Sequence, residues 1–196
     1  NYIGKRLFWS LLRKRIFYGV KQMVRWTKTT EVFKGWLADA LLKLNLEKDF
    51  DKISVKYIAD TAGVGRATLV RNFSCKGDAL TFKLVRSWNR WADEHELAVR
   101  DRFTMKNAAD FFRFNFEMRS VIDVIYAVDM RSAVYDAFYQ VMMPQCGTSA
   151  KECYQRRFYS YALFGLLDEW VKRGFNETPD EMVKIFYQVM DDRSYI

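Results

Sequence analysis

The sequence predicts an all-α protein, with a small three-helix unit near its N-terminus followed by a larger helical domain. Three observations point there. Apolar residues recur at spacings of three and four through most of the chain, the period of one helix face, and no stretch alternates apolar and polar residues as a half-buried strand does. Two prolines and nine glycines in 196 residues leave long stretches uninterrupted. Half of the residues are hydrophobic and 17% are aromatic, enough to fill a core at this length and too much for a disordered chain. The expected organisation is a basic amphipathic extension over 1–28, a three-helix unit over 29–77 and a larger helical domain over 78–196.

The first thirty residues hold eight cations, Lys5, Arg6, Arg13, Lys14, Arg15, Lys21, Arg25 and Lys28, and no acid. The net charge of +8 therefore belongs to this extension, and residues 31–196 are neutral as a whole. Affinity for nucleic acid in the remainder has to come from local patches. Leu7, Phe8, Leu11, Leu12, Ile16, Val20 and Met23 fall near one helical face. Three readings of that segment stand side by side: an arm for a membrane surface or the DNA backbone, an extra packed helix, or a segment foreign to the natural protein. The third is favoured, with Met23 as the expected start, because Gly19-Val20-Lys21-Gln22 can be encoded as GGA-GTG-AAA-CAA, which reads as a ribosome-binding site and spacer.

Cys75, Cys146 and Cys153 show no C-x-x-C spacing, and His95 is the single histidine, so no disulfide framework, metal site or cofactor is expected. A reducing cytoplasm is the expected compartment. No apolar run reaches the roughly 18 residues of a membrane span, so a soluble protein without stable membrane association is expected.

Val32, Phe33, Trp36, Leu37, Ala40, Leu41 and Leu44 place a first helix over 29–46. Ser54 is an N-cap for a short helix with Val55, Ile58 and Ala59 on one face, and Gly63 is its C′ residue. The next helix opens at Gly65 and runs through Phe73. After a break over Ser74–Asp78, Ala79–Val99 reads as a long helix. Segments 105–118, 120–143, 150–173 and 179–191 follow, divided near Arg119, at Pro144–Thr148 and at Gly174–Pro179.

Two short helices around a glycine-bearing turn, SVKYIADTAGVGRATLVRNF over 54–73, form a helix-turn-helix pattern. Val55, Ile58, Ala59, Ala62, Val64, Leu69 and Phe73 supply the packed side. The opposite side of the second helix carries Arg66, Ala67, Val70 and Arg71, flanked by Thr68 and Asn72. Such a face suits a DNA major groove, where arginine reads guanine O6 and N7 and small apolar groups meet the thymine methyl. Ser54 and Lys76, at two helix N-termini, are placed to hold phosphate oxygens. On periodicity alone, a tight helical corner in an unrelated all-α protein competes with this reading.

The identities go further. In order, Val55, Ile58, Ala59, Ala62, Gly63, Val64, Thr68, Leu69, Phe73 and Lys76, preceded by the helix over 29–46, match the N-terminal motif of the tetracycline-repressor (TetR/AcrR) family, which the chain resembles over about 29–85. The resemblance implies a homodimeric regulator that binds double-stranded DNA at a palindromic operator, as a ligand-released repressor. Three residues depart from the family pattern. Gly65 stands at the usual serine N-cap, Val70 at the tyrosine that bonds a phosphate, and Cys75 with Gly77 at the serine and glutamate that open the fourth helix.

The resemblance also implies a dimerisation and ligand-binding role for the C-terminal domain. Residues 161–182 resemble the penultimate helix and turn of a branch common in Gram-positive bacteria, with Leu163, Leu166, Leu167, Trp170, Val171, Ile185 and Val189 expected at the dimer seam. The bland alternative is a helix that only closes its own subunit. Trp88, Phe112, Phe116, Tyr126, Met130 and Tyr135 are candidates to line a pocket for a small apolar or aromatic effector, with Asp123, Asp129 and Arg131 to orient it. Aromatics at this spacing also read as plain core.

Catalysis is not expected. The chain has no phosphate-binding glycine loop and no nucleophile beside its one histidine, and Asp168 and Glu169, as helix neighbours, point apart. The remaining alternative is a membrane-associated helical interaction protein that uses its basic tail and binds no DNA.

Overall fold

A computed structural model describes residues 28–97, 107–142 and 149–191. The expected amphipathic helix over 5–26, the last residues of the helix drawn to Val99, the break at Pro144–Thr148 and Cys146 lie outside the described residues. Those described form nine α-helices, one 3₁₀ turn and no strand. The helices are α1 (Lys28–Glu47), α2 (Val55–Ala62), α3 (Arg66–Asn72), α4 (Lys76–Glu94), α5 (Ala108–Glu117), α6 (Arg119–Ala127), α7 (Arg131–Val141), α8 (Ala150–Lys172) and α9 (Pro179–Asp191). The 3₁₀ turn, Phe50–Lys52, joins α1 to α2.

Both ends of α4 and the segment over 120–143 differ from what the sequence predicts. Helix α4 starts at Lys76 because the Asp78 carboxylate accepts the backbone N–H groups of Ser74 (2.7 Å) and Cys75 (3.2 Å), satisfying donors that a helix start leaves open. It stops at Glu94, where Leu97 N–H returns to the Ala92 carbonyl at 2.9 Å and Glu96 takes φ 56°. His95 caps the end, exposed, its ring stacked 3.7 Å from Trp91. The segment expected as one helix over 120–143 is two. Asp129, at φ 55°, ends α6 with Met130 N–H bonded to the Ile125 carbonyl at 3.1 Å. Aspartate tolerates that left-handed conformation better than most residues, so the break needs neither glycine nor proline.

The described residues from Phe33 onward belong to one unit. Helix α4 packs most extensively on α7, α5 on α9, and α7 on α8. The Thr81 hydroxyl, buried between α4 and α7, donates to the Ala133 carbonyl at 3.1 Å. One hydrophobic cluster runs from Leu37 and Leu41 through Leu69, Phe73, Leu80, Phe112 and Val134 to Trp170 and Phe186. Trp170 meets Phe112 and Phe175 edge-on, with centroids at 5.8 and 5.0 Å, stacks on Phe116, and donates its indole N–H to the Glu177 carbonyl at 3.0 Å. Gly174 (φ 70°) and Phe175 (φ 54°) turn the chain after α8. Helix α9 then opens as its spacing predicts, with Pro179 in the first turn and Thr178 and Glu181 capping one another.

Two outcomes follow from this packing. Truncating the fully buried Phe112 to alanine removes ring contacts with Phe111, Trp170 and Phe186, and costs about 3–5 kcal/mol in urea denaturation. Asp168 is held below the ordinary carboxylate range, first by the Lys172 ammonium 2.5 Å away, then by the Tyr126 hydroxyl and the charge of Arg131. Its carboxyl titrates lower folded than unfolded, so its stabilisation is complete above the ordinary value of 3.8 and is lost as pH falls through the folded value. Between pH 4 and 2 or so, Asp168→Asn unfolds with a shallower pH dependence than the parent chain, as thermal melts across that range would record.

Candidate nucleic-acid interface

The local order of α2, turn and α3 follows from small residues and caps. Ser54 sits in extended conformation and its hydroxyl accepts the Tyr57 N–H at 3.2 Å, starting α2. Ile58 and Ala59 are buried beneath it. At the other end Gly63 takes φ 67°, with Gly63 N–H bonded to the Asp60 carbonyl (3.2 Å) and Val64 N–H to that of Ala59 (3.0 Å). A side chain at Gly63 would meet no neighbour, so the requirement for glycine there is conformational. Gly65 then opens α3 without a side-chain cap.

Within α3 only Leu69 is buried, and Phe73 follows it into the core. Arg66, Ala67, Val70 and Arg71 lie together on the exposed side, Val70 at 61% exposure, and Thr68 is half-buried. Two positively charged groups thus flank a small apolar strip, a pattern able to meet base edges and methyl groups in a major groove. Other expected contacts are placed differently. The Asn72 amide turns back along its own helix and donates to the Thr68 carbonyl at 2.6 Å. Ser54 is exposed, but its hydroxyl already serves as the α2 cap.

Lys76 departs most. Its side chain is half-buried, its ammonium donates to the Phe50 carbonyl, and it lies 4.5 Å from the centroid of the Phe50 ring. The ammonium expected to meet a phosphate thus rests against the carbonyl and ring of the 3₁₀ turn, which compete for its charge. Two features escape the sequence reading. Tyr57, 48% exposed, carries the Lys48 ammonium 3.9 Å above its ring. Asp78 caps α4, a role that its position three residues after the Cys75 cap could have signalled.

The six candidate pocket residues do not converge. Phe112 and Phe116 pack on Trp170, and Met130 lies against Gly77. The Tyr126 hydroxyl is pushed well above its ordinary pKa, first by burial and then by the charge of Asp168. Tyr135 stacks on Tyr161 at 4.3 Å and accepts from Arg157. Trp88 alone lines an apolar cleft, shared with Leu84, Phe111, Phe114, Phe138 and Met142, whose volume of about 20 Å³ holds little more than one water. Asp123, Asp129 and Arg131 are on the surface.

Of the expected seam, Leu167 (0% exposed) and Trp170 (1%) face into their own subunit and do not reach the surface. Leu163, Leu166, Val171 and Ile185 are half-buried and Val189 is exposed. The apolar groups that α8 does expose are Tyr154, Phe158 and Tyr161, spaced along one outer face, and α9 adds Tyr187 and Met190. The sequence reading missed them because α8 is apolar on two sides, and the aliphatic side drew attention first.

Residues 107–192 match the TetR family model described as the transcriptional regulator C-terminal region. No curated protein matches the chain. The match covers α5 through α9, while α2 and α3 precede it. One substitution probes the uncapped start of α3 directly. Gly65 has φ −68° and ψ 141°, a conformation open to any residue, and a Cβ there would meet nothing closer than the Thr68 hydroxyl at 4.0 Å. Gly65→Ser therefore raises stability by about 0.5–1 kcal/mol through a cap and a less free unfolded chain, seen as a melting point about 1–4 °C higher.

Proposed function

We propose that the chain, whose residues 107–192 match a TetR-family model, is a sequence-specific DNA-binding regulator of that family: a ligand-released repressor, cytoplasmic, acting as a homodimer on a palindromic operator. The observation that carries this reading is the outer face of α3, where Arg66, Ala67, Val70 and Arg71 stand exposed beside a tight turn from α2. Arg66 and Arg71 read guanine edges or neighbouring phosphates, and Ala67 and Val70 meet thymine methyl groups. The unit over 29–77 carries the DNA-reading helix and 78–196 carries dimerisation and effector binding.

The exposed face of α8, Tyr154, Phe158 and Tyr161, together with Val189 of α9, is the surface that a second copy covers. Leu163, Leu166, Val171 and Ile185 are half-buried and pack on the subunit's own core. A small apolar or aromatic effector enters beside Trp88, where the cleft has to widen to admit it. The family match favours this reading over a membrane-associated interaction protein. Among the described residues no helix is long and apolar enough to cross a membrane.

Selection from random duplex DNA with the full chain at low salt tests the reading. It enriches an inverted repeat, since a two-fold protein reads its half-site twice, and affinity for that repeat falls steeply as salt rises. Enrichment of no inverted repeat would overturn the proposal.

A further inference from the structure

We propose that a cavity beneath α3, inside the N-terminal unit, binds a small uncharged apolar molecule no larger than a benzene ring, and that its occupant steadies that helix. The site is distinct from the cleft beside Trp88 and stands whether or not the DNA-binding reading holds. Where that reading holds, the occupant acts on α3 itself, with no relay through the C-terminal helices. The cavity holds about 110 Å³, against about 20 Å³ beside Trp88. Apolar cavities of this order stay dry and take up small apolar guests.

Helices α1 to α4 all contribute to its walls. Leu37, Leu41, Ile58, Leu69, Phe73 and Ala79 line it and are buried, and Val55 is half-buried. Its mouth lies at the exposed Val70, Ser74 and Cys75. The walls are held by contacts outside the cavity, so they do not close on it. The left-handed turn at Gly63 sets α3 against α2, the Lys76 ammonium ties α4 to the Phe50 carbonyl, and Phe73 leans on Phe82 with centroids at 5.9 Å. The lining of an empty space lacks dispersion contacts, which a guest restores.

The chemical class follows from the polar groups at the rim, which are engaged with their neighbours. The Lys76 ammonium is turned onto the Phe50 carbonyl and ring. The Ser74 and Cys75 N–H groups donate to the Asp78 carboxylate at 2.7 and 3.2 Å, and the Cys75 thiol lies 3.5 Å from the same carboxylate. A charged or strongly hydrogen-bonding molecule gives up water here with nothing in return, whereas an apolar one gains by leaving water. Leu69 and Phe73 are the side chains that hold α3 down, so a guest in contact with both resists the opening of that helix.

The test uses the full chain with benzene as the probe, its dissociation constant taken from a titration of the methyl NMR spectrum. The methyl resonances of Leu37, Leu41, Ile58 and Leu69 move most in that titration. At about five times the dissociation constant, benzene raises the melting point by about 2–4 °C. It also slows exchange of the Phe73 N–H, which donates to the Leu69 carbonyl at 2.9 Å, by about sixfold. Ala79→Met fills the space with its own flexible side chain and loses all three responses. The absence of any saturable response to benzene would overturn the proposal, as would methyl shifts centred on Leu84 and Val134 beside Trp88, or parental responses in a folded Ala79→Met. If Ala79→Met does not fold, the place of the methyl shifts in the parent chain decides alone.

Discussion

Helix α3 has seven residues, too few to persist on helical hydrogen bonds alone, so everything it presents depends on the burial of Leu69 and Phe73. These two side chains join the same apolar cluster as Leu37 and Leu41 of α1 and Leu80 and Leu84 of α4. Phe73 meets Phe82 edge-on at 5.9 Å, and the nearly buried Lys34 ammonium lies 5.3 and 5.2 Å from the two rings. The left-handed turn at Gly63 fixes the angle at which α3 leaves α2. With its inner side fixed at both ends, the helix leaves its outer side under no packing constraint. Valine at position 70 changes what the surface offers and leaves the fold alone.

That division explains what was legible in the sequence. Residues whose role is packing or turning, such as Ile58, Ala59, Gly63, Leu69 and Phe73, announce themselves by period and type, because few alternatives satisfy those positions. The all-α architecture follows for the same reason. Lys76 shows where such reading stops. Its identity and its place at a helix start suit a phosphate contact, yet the Phe50 carbonyl and ring, which only the folded chain brings near, take up its charge. The pairing of Tyr57 with Lys48 was hidden likewise, since their approach depends on the path of the 3₁₀ turn.

The C-terminal helices teach a second lesson about periodicity. A helix that is apolar on two sides gives a weak directional signal, and α8 is such a helix. Its Leu167 and Trp170 fill the interior against Phe112 and Phe116, while Tyr154, Phe158 and Tyr161 stand outside. Spacing alone does not say which of two apolar sides faces in. The break at Asp129 was equally silent, because a left-handed aspartate does there what a glycine would have declared.

Helix α4 joins the two halves of the molecule mechanically. Its first two turns hold the end of α3, through the Asp78 carboxylate on the Ser74 and Cys75 N–H groups and through Phe82 against Phe73. Further along, Leu84, Val85 and Trp88 of the same helix form one wall of the apolar cleft. From Asp78 to Trp88 is about 15 Å along a continuous helix, which behaves as a rod over that length. Its middle is also pinned to α7 by the buried Thr81 hydroxyl on the Ala133 carbonyl. A wall that moves to enlarge the cleft therefore moves the anchor of α3 with it, unless α5 or α7 yields first. Because α7 is bound to α4 at Thr81, α5 is the wall that this bond does not tie to the anchor of α3.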